Sequence, residues 1–193
     1  MDQIITRGLE MAPYMLGALP VILAFRWLRA RGLQKRNLHT TWRHELALCT
    51  FLMFLVGLAS QTVLPPFQMG EDGLAIAWGQ SLRLNLVPFR IFTDSLASGA
   101  DYFILNFLGN IGMFFPIGFF TALLWARPTL LKSAGAGFLS SLAIELCQLP
   151  LDRGTDIDDL LLNTLGAALG YWLFLLFRKL WPGCVERCRV RSS

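Results

Sequence analysis

The chain has 193 residues, 54% of them hydrophobic and 16% charged, with a formal net charge of +4 and a mean hydropathy of +0.51. Soluble domains carry roughly 25% charged residues, and a protein this small has too little interior to hide such an apolar excess, which argues against a soluble domain. The positive balance does not point to nucleic acid either, because the basic residues sit beside apolar blocks, as membrane flanks do.

Five apolar blocks follow in chain order. The first, residues 11–28, is short and carries Gly17 and Pro20. Asp2 and Glu10 precede it against a single Arg7 and no small-residue cleavage pattern follows, so it reads as a span and not as a secretory signal. The second covers residues 45–64. A long connection, 65–101, then holds two apolar runs, Leu74-Ala-Ile-Ala-Trp78 and Asn85-Leu-Val-Pro-Phe89-Arg90-Ile-Phe92. These runs suit the membrane interface, with Trp78 and Phe92 at headgroup level. The third block is 102–126, where Pro116 is expected to kink the helix and free a carbonyl. The fourth is 133–151 and the fifth 160–180, the last carrying Gly166-Ala-Ala-Leu-Gly170, a small-residue pair that favours close helix packing. Each block approaches the ~20 residues needed to cross about 30 Å of hydrocarbon. The fold class expected is all-α: a polytopic transmembrane helix bundle of about five spans, with a long, partly apolar outer loop between spans two and three.

Positive charge orients the bundle. Arg29, Arg31, Lys35, Arg36 and Arg43 lie between spans one and two, with Arg26 at the edge. Arg127 and Lys132 lie between spans three and four, and Arg178, Lys179, Arg187, Arg189 and Arg191 follow span five. The alternating segments hold Arg7, Arg83, Arg90 and Arg153. The positive-inside rule therefore places the amino terminus outside and the carboxyl terminus in the cytoplasm of a multi-pass protein of the cytoplasmic membrane.

With this orientation, the polar residues inside the spans gather at one depth. Asn106 and Asn110 fall in the outer half of span three, Glu145 and Gln148 in that of span four, and Asn163 in that of span five. Each of the pairs Asn106/Asn110, Glu145/Gln148 and Asp159/Asn163 has helical i,i+3 or i,i+4 spacing, so its members share a face. A carboxylate in the hydrocarbon costs about 2.5–3.5 kcal/mol at a helix centre on insertion scales, so Glu145 is expected to face the protein interior or water. A polar pocket open to the outside satisfies all of these residues together.

The carboxyl-terminal half resembles the VanZ-like family of bacterial membrane proteins. The matching pieces are Asn85-Leu-Val-Pro88-Phe89, Asn110-Ile-Gly-Met-Phe-Phe-Pro116-Ile-Gly118, Ser141-Leu-Ala-Ile-Glu145-Leu-Cys-Gln148, then Arg153, Asp156-Ile-Asp158-Asp159, Asn163-Thr-Leu-Gly166 and Gly170-Tyr171. Gly154-Thr155 stands where the family often has an aromatic residue after the arginine. The resemblance divides the chain into residues 1–84 with no motif, a VanZ-like domain of three spans over 85–180, and a basic cytoplasmic tail, 181–193. It implies action outside the membrane, since the family is named for a protein that raises resistance to teicoplanin, a lipoglycopeptide that binds cell-wall precursors.

The binding residues expected on this reading are Asn110, Glu145, Gln148, Arg153, Asp156, Asp158, Asp159, Asn163 and Arg90, with Arg153 or Arg90 as counter-ion to Glu145. The plainer account of the amides is interhelical glue, worth about 0.6 kcal/mol each on average, and one of the three aspartates is expected to cap span five. Three functional classes stay open. The bundle could hold an amphiphile, whether a membrane lipid, a lipid-linked cell-wall intermediate or a lipoglycopeptide. It could be an intramembrane enzyme with Glu145 as acid/base and Arg153 stabilising negative charge, or a structural partner of another envelope protein. No Ser-His-Asp set, HExxH or phosphate loop is present, and His39 and His44 lie at the cytoplasmic end. Cys184 and Cys188 have no second ligand pair, so neither a metal nor a cofactor is expected. The oligomeric state is not legible.

Overall fold

A computed structural model of the chain describes residues 2–63, 67–70, 73–76, 84–99, 103–149 and 155–192. The first helix, α1 (Asp2–Gln34), continues through Pro13 and Pro20. It therefore extends beyond the expected block at its basic end. Arg29 and Arg31 do not stop it, since arginine is a good helix former and cations favour the carboxyl end of the macrodipole. Asn37, at φ 54°, turns the chain, a left-handed position that Asn tolerates. A two-residue strand β1 (Leu38–His39) leads to α2 (Trp42–Thr62), whose N-cap Thr41 accepts from His44 N at 3.2 Å.

Within the long connection, strands β2 (Phe67–Gly70) and β3 (Gly73–Ile76) pair antiparallel as a hairpin. The expected interfacial Trp78 lies outside the described residues. Strand β4 (Leu84–Asn85) precedes the short α3 (Arg90–Ser98). The third span opens on a π-helical turn, Ile104–Leu108, continuous with α4 (Gly109–Leu124), which runs on through Pro116. Next come α5 (Leu130–Gln148), capped by Thr129, strand β5 (Thr155–Asp156), α6 (Ile157–Leu180) and α7 (Pro182–Arg187). A last strand, β6 (Arg191–Ser192), pairs antiparallel with β1.

Among the described residues, five helices are long and apolar enough to cross a membrane: Met11–Gln34, Trp42–Thr62, Asn106–Leu124, Leu130–Gln148 and Ile157–Leu180. The chain is thus an all-helical multi-pass membrane protein, its strands being short paired segments at the helix ends. Helix α6 packs most extensively against α4, with α5 on another side, while α2 joins α4 and α1 joins α2. Glycine makes the α4–α6 contact so close. A Cβ added at Gly170 would lie 2.8 Å from Phe119 N, one at Gly166 3.0 Å from the Ile111 carbonyl carbon, and one at Gly118 2.6 Å from that of Ala167. Backbone meets backbone there, as the Gly166–Gly170 pair suggests. Phe114 and Ile117 fill the space toward Leu58 of α2, and Phe174 with Ala122 and Leu123 forms a second cluster that includes Val185 and Cys188 of the tail. The lipid-facing surface stays apolar, as Leu131 (82% exposed) and Trp172 (59%) illustrate.

Candidate functional site

The start of α6 is built from its own acidic run. Asp156 is the N-cap, its Oδ1 accepting from Asp158 N at 2.9 Å, which satisfies one of the free amides at a helix start. Its other oxygen, Oδ2, accepts from Asn85 Nδ2 at 2.9 Å, while β4 and β5 pair in parallel through Leu84–Thr155 and Asn85–Asp156. Asp158 is buried, 4% exposed, and its two oxygens accept from Phe89 N at 2.5 Å and Ile91 N at 2.9 Å. Phe89 itself has φ 65°. This backbone conformation is unfavourable for an aromatic residue, and the carboxylate that gathers both amides holds it in place. Two of the three aspartates therefore fasten the long connection across the head of α6.

Asp159 faces the other way, toward the bundle. Its Oδ1 accepts from Asn110 Nδ2 of α4. One turn deeper on the same face, Asn163 (6% exposed) donates to Ser141 Oγ of α5 at 2.9 Å. The helices α5 and α6 run in opposite directions, so the next turn of α5 toward the 149–156 connection brings Glu145 to the level of Asp159. Glu145 is 5% exposed. Two stacked polar layers result, Asn110 with Asp159 above and Asn163 with Ser141 below, and Glu145 follows one turn along α5 from Ser141. Gln148, one turn from Glu145, reaches away from them and donates to the Thr62 carbonyl at the end of α2, 2.9 Å away.

Arg90 is not drawn into these layers. It pairs with Asp94 within α3 at 3.3 Å and is largely exposed. Arg153, the other expected counter-ion, lies outside the described residues. Asn106 falls within the π-helical turn, ahead of Asn110 on α4.

On the face of α6 that carries Asp158 runs an apolar groove of about 270 Å³, lined by Phe89, Phe92, Phe107, Asp158, Leu161 and Leu165. Phe92 meets Phe103 and Phe107 at ring-centroid distances of 5.8 and 6.0 Å. Reading the sequence did not single out Ser141 or Thr62 as partners, nor Asn85 as a ligand of Asp156. Ser141 sits four residues before Glu145, a spacing that could have suggested it. The Thr62 carbonyl carries no signal in sequence.

A family model described as VanZ/LLP1 matches residues 48–178, well over half of the chain. The protein belongs to the VanZ/LLP1 family. Its match starts inside α2 and ends inside α6, so most of the second span and the whole long connection lie within it, beyond the stretch 85–171 that carries the recognisable motifs. No curated protein and no solved structure gives a significant match. The VanZ/LLP1 match takes in every residue of the two polar layers, the groove and the Asn85–Phe89 segment tied down by Asp156 and Asp158. Chemically, the arrangement offers amide and carboxylate groups for hydrogen bonding and, along the same helix, a surface suited to a hydrocarbon chain. Among the described residues it offers neither a metal-binding cluster nor a catalytic nucleophile with an adjacent histidine.

Proposed function

We propose that this VanZ/LLP1 protein engages an amphiphile at the outer leaflet of the cytoplasmic membrane and thereby contributes to lipoglycopeptide resistance or cell-envelope function. The polar head of the ligand, a lipid-linked cell-wall intermediate or the lipoglycopeptide itself, meets Asn110, Glu145, Asp159 and Asn163, and its hydrocarbon part lies in the groove of Phe89, Phe92, Phe107 and Leu165. The observation that carries this reading is that the Asn110–Asp159 and Asn163–Ser141 hydrogen bonds and an apolar groove that includes Asp158 all lie along the first turns of α6, at one end of the bundle. The distribution of Lys and Arg supports placing that end outside, with the carboxyl terminus in the cytoplasm.

Native mass spectrometry of the purified protein, looking for a co-purifying lipid, tests the binding directly. In a sensitive bacterium expressing the protein, survival on teicoplanin should fall for Glu145→Ala and Asp159→Ala and be unchanged for Asp2→Asn, with protein levels measured in parallel. Glu145→Gln keeps the shape of the side chain and one acceptor oxygen while removing the charge, so binding should survive in part. If Glu145→Ala and Asp159→Ala both protect fully at normal expression, the polar layers are packing glue and the proposed site is wrong.

A further inference from the structure

The opposite end of the bundle holds a second feature, separate from the site above. Helices α1, α2 and α4 enclose an apolar groove of about 350 Å³, lined by Phe25, Leu48, Phe51, Phe120 and Leu124 and closed at its rim by Arg29. That volume lies within the roughly 300–1,000 Å³ typical of ligand sites. The charge at the rim is unbalanced. Glu45 Oε2 accepts from Arg26 Nε at 2.7 Å, whereas Arg29 Nη1 stands 3.8 Å from Oε1. Two guanidinium groups share one carboxylate, which leaves a net positive charge at the mouth of the groove. The other polar neighbour of Arg29, His44 Nε2 at 3.2 Å, brings no negative charge, because its Nδ1 is held by the Cys188 carbonyl at 2.6 Å. Trp125 lies at the same rim, 55% exposed, where an indole suits the headgroup level.

We infer that this groove binds an anionic phospholipid from the leaflet at the basic end of the bundle, with its phosphate on Arg29 and an acyl chain against Phe25, Phe51 and Phe120. An arginine matches phosphate through its planar donor fork, and basic pockets between spanning helices on the cytoplasmic side are suited to acidic headgroups. The charge excess distinguishes this occupant from a zwitterionic lipid, whose phosphate comes with a headgroup cation and so leaves the net positive charge at the rim uncompensated.

The test uses the purified full chain, delipidated in detergent and titrated with phosphatidylglycerol or phosphatidylcholine under native mass spectrometry. Wild-type protein should hold phosphatidylglycerol in preference. Arg29→Gln should weaken that binding by about fivefold, the equivalent of the ~1 kcal/mol one basic residue contributes at an anionic lipid surface. Leu48→Trp, which fills the groove and leaves every charge in place, should abolish the preference. Arg36→Gln, in the exposed turn outside the groove, should have no effect. Equal binding of the two lipids by wild type, an Arg36→Gln loss as large as that of Arg29→Gln, or retained phosphatidylglycerol preference in Leu48→Trp each overturns the proposal. Leu48→Trp decides alone if Arg29→Gln does not accumulate.

Discussion

Asp158 shows how differently three neighbouring carboxylates can be used. Its side chain is almost fully buried and satisfies two loop amides, so Asp158→Ala leaves both amides without their acceptor, a loss on the order of 1–3 kcal/mol for each buried unsatisfied group. The variant should melt at clearly lower temperature in detergent, and hydrogen exchange should rise over residues 89–98. Asp156→Ala removes a cap and should cost about 1 kcal/mol, with the β4–β5 pairing loosened as well. Asp159→Asn keeps the contact region with Asn110 and should change stability little, so any loss of protection it causes reports on the site. An unchanged melting temperature in Asp158→Ala would mean that the Phe89 turn is held by something else. Asp159 and Asn163 were legible as a pair because i,i+4 spacing puts them on one face, whereas Gln148 leaves Glu145 for the Thr62 carbonyl. Their partners were not, since the rotation of each helix and the path of the loop decide which groups meet. Three aspartates within four residues read alike in sequence, yet one caps, one ties down the loop and one faces the bundle.

Between elements, the α4–α6 contact carries the bundle and rests on the absence of side chains. Gly170→Val would drive a branched side chain into Phe115 O and Phe119 N, and overpacking in a close-fitting interior costs typically 1–3 kcal/mol or more. Backbone cannot yield as a flexible side chain can, so the upper end or beyond is expected, seen as low yield and early melting in detergent. Gly112→Ala sits in the same helix as Gly118 with nothing within 4 Å of the added Cβ. It should be neutral or stabilising by up to ~1 kcal/mol through helix propensity. Similar melting temperatures for the two variants would show that α4 and α6 do not approach so closely. The Gly166–Gly170 pair announced such a contact in the sequence, while Gly118 opposite could not be singled out, because a pairing of faces is a property of two helices and not of one. The five spans were legible from long apolar blocks, whereas the π-helical turn at Ile104–Leu108 shifts register without a compositional mark.

For the whole molecule, two strand pairings constrain the topology independently of charge. β1 pairs with β6, and the four spans α2, α4, α5 and α6 lie between them; β4 pairs with β5 across α4 and α5. An even number of crossings separates each pair, so residues 38–39 and 191–192 share one side, and residues 84–85 and 155–156 share one side, as a five-span bundle requires. The tail is part of this closure: Thr41 Oγ1 donates to the Arg187 carbonyl, and Val185 packs into the cluster around Phe174, although composition alone marks these residues as nothing more than a basic end. Burial also pushes the Cys188 thiol up from its ordinary pKa, so it should react slowly with thiol reagents compared with an introduced surface cysteine. In a background with the native cysteines replaced by alanine, Gly99→Cys and Thr155→Cys should be labelled by an impermeant thiol reagent on intact cells. Lys35→Cys and Gly183→Cys should be labelled only after permeabilisation. A mirror-image result would reverse the orientation, and with it the outward site, while preserving the span count. Labelling that separates Gly99 from Thr155, or Lys35 from Gly183, would instead break the parity of the strand pairings and overturn the five-span fold itself.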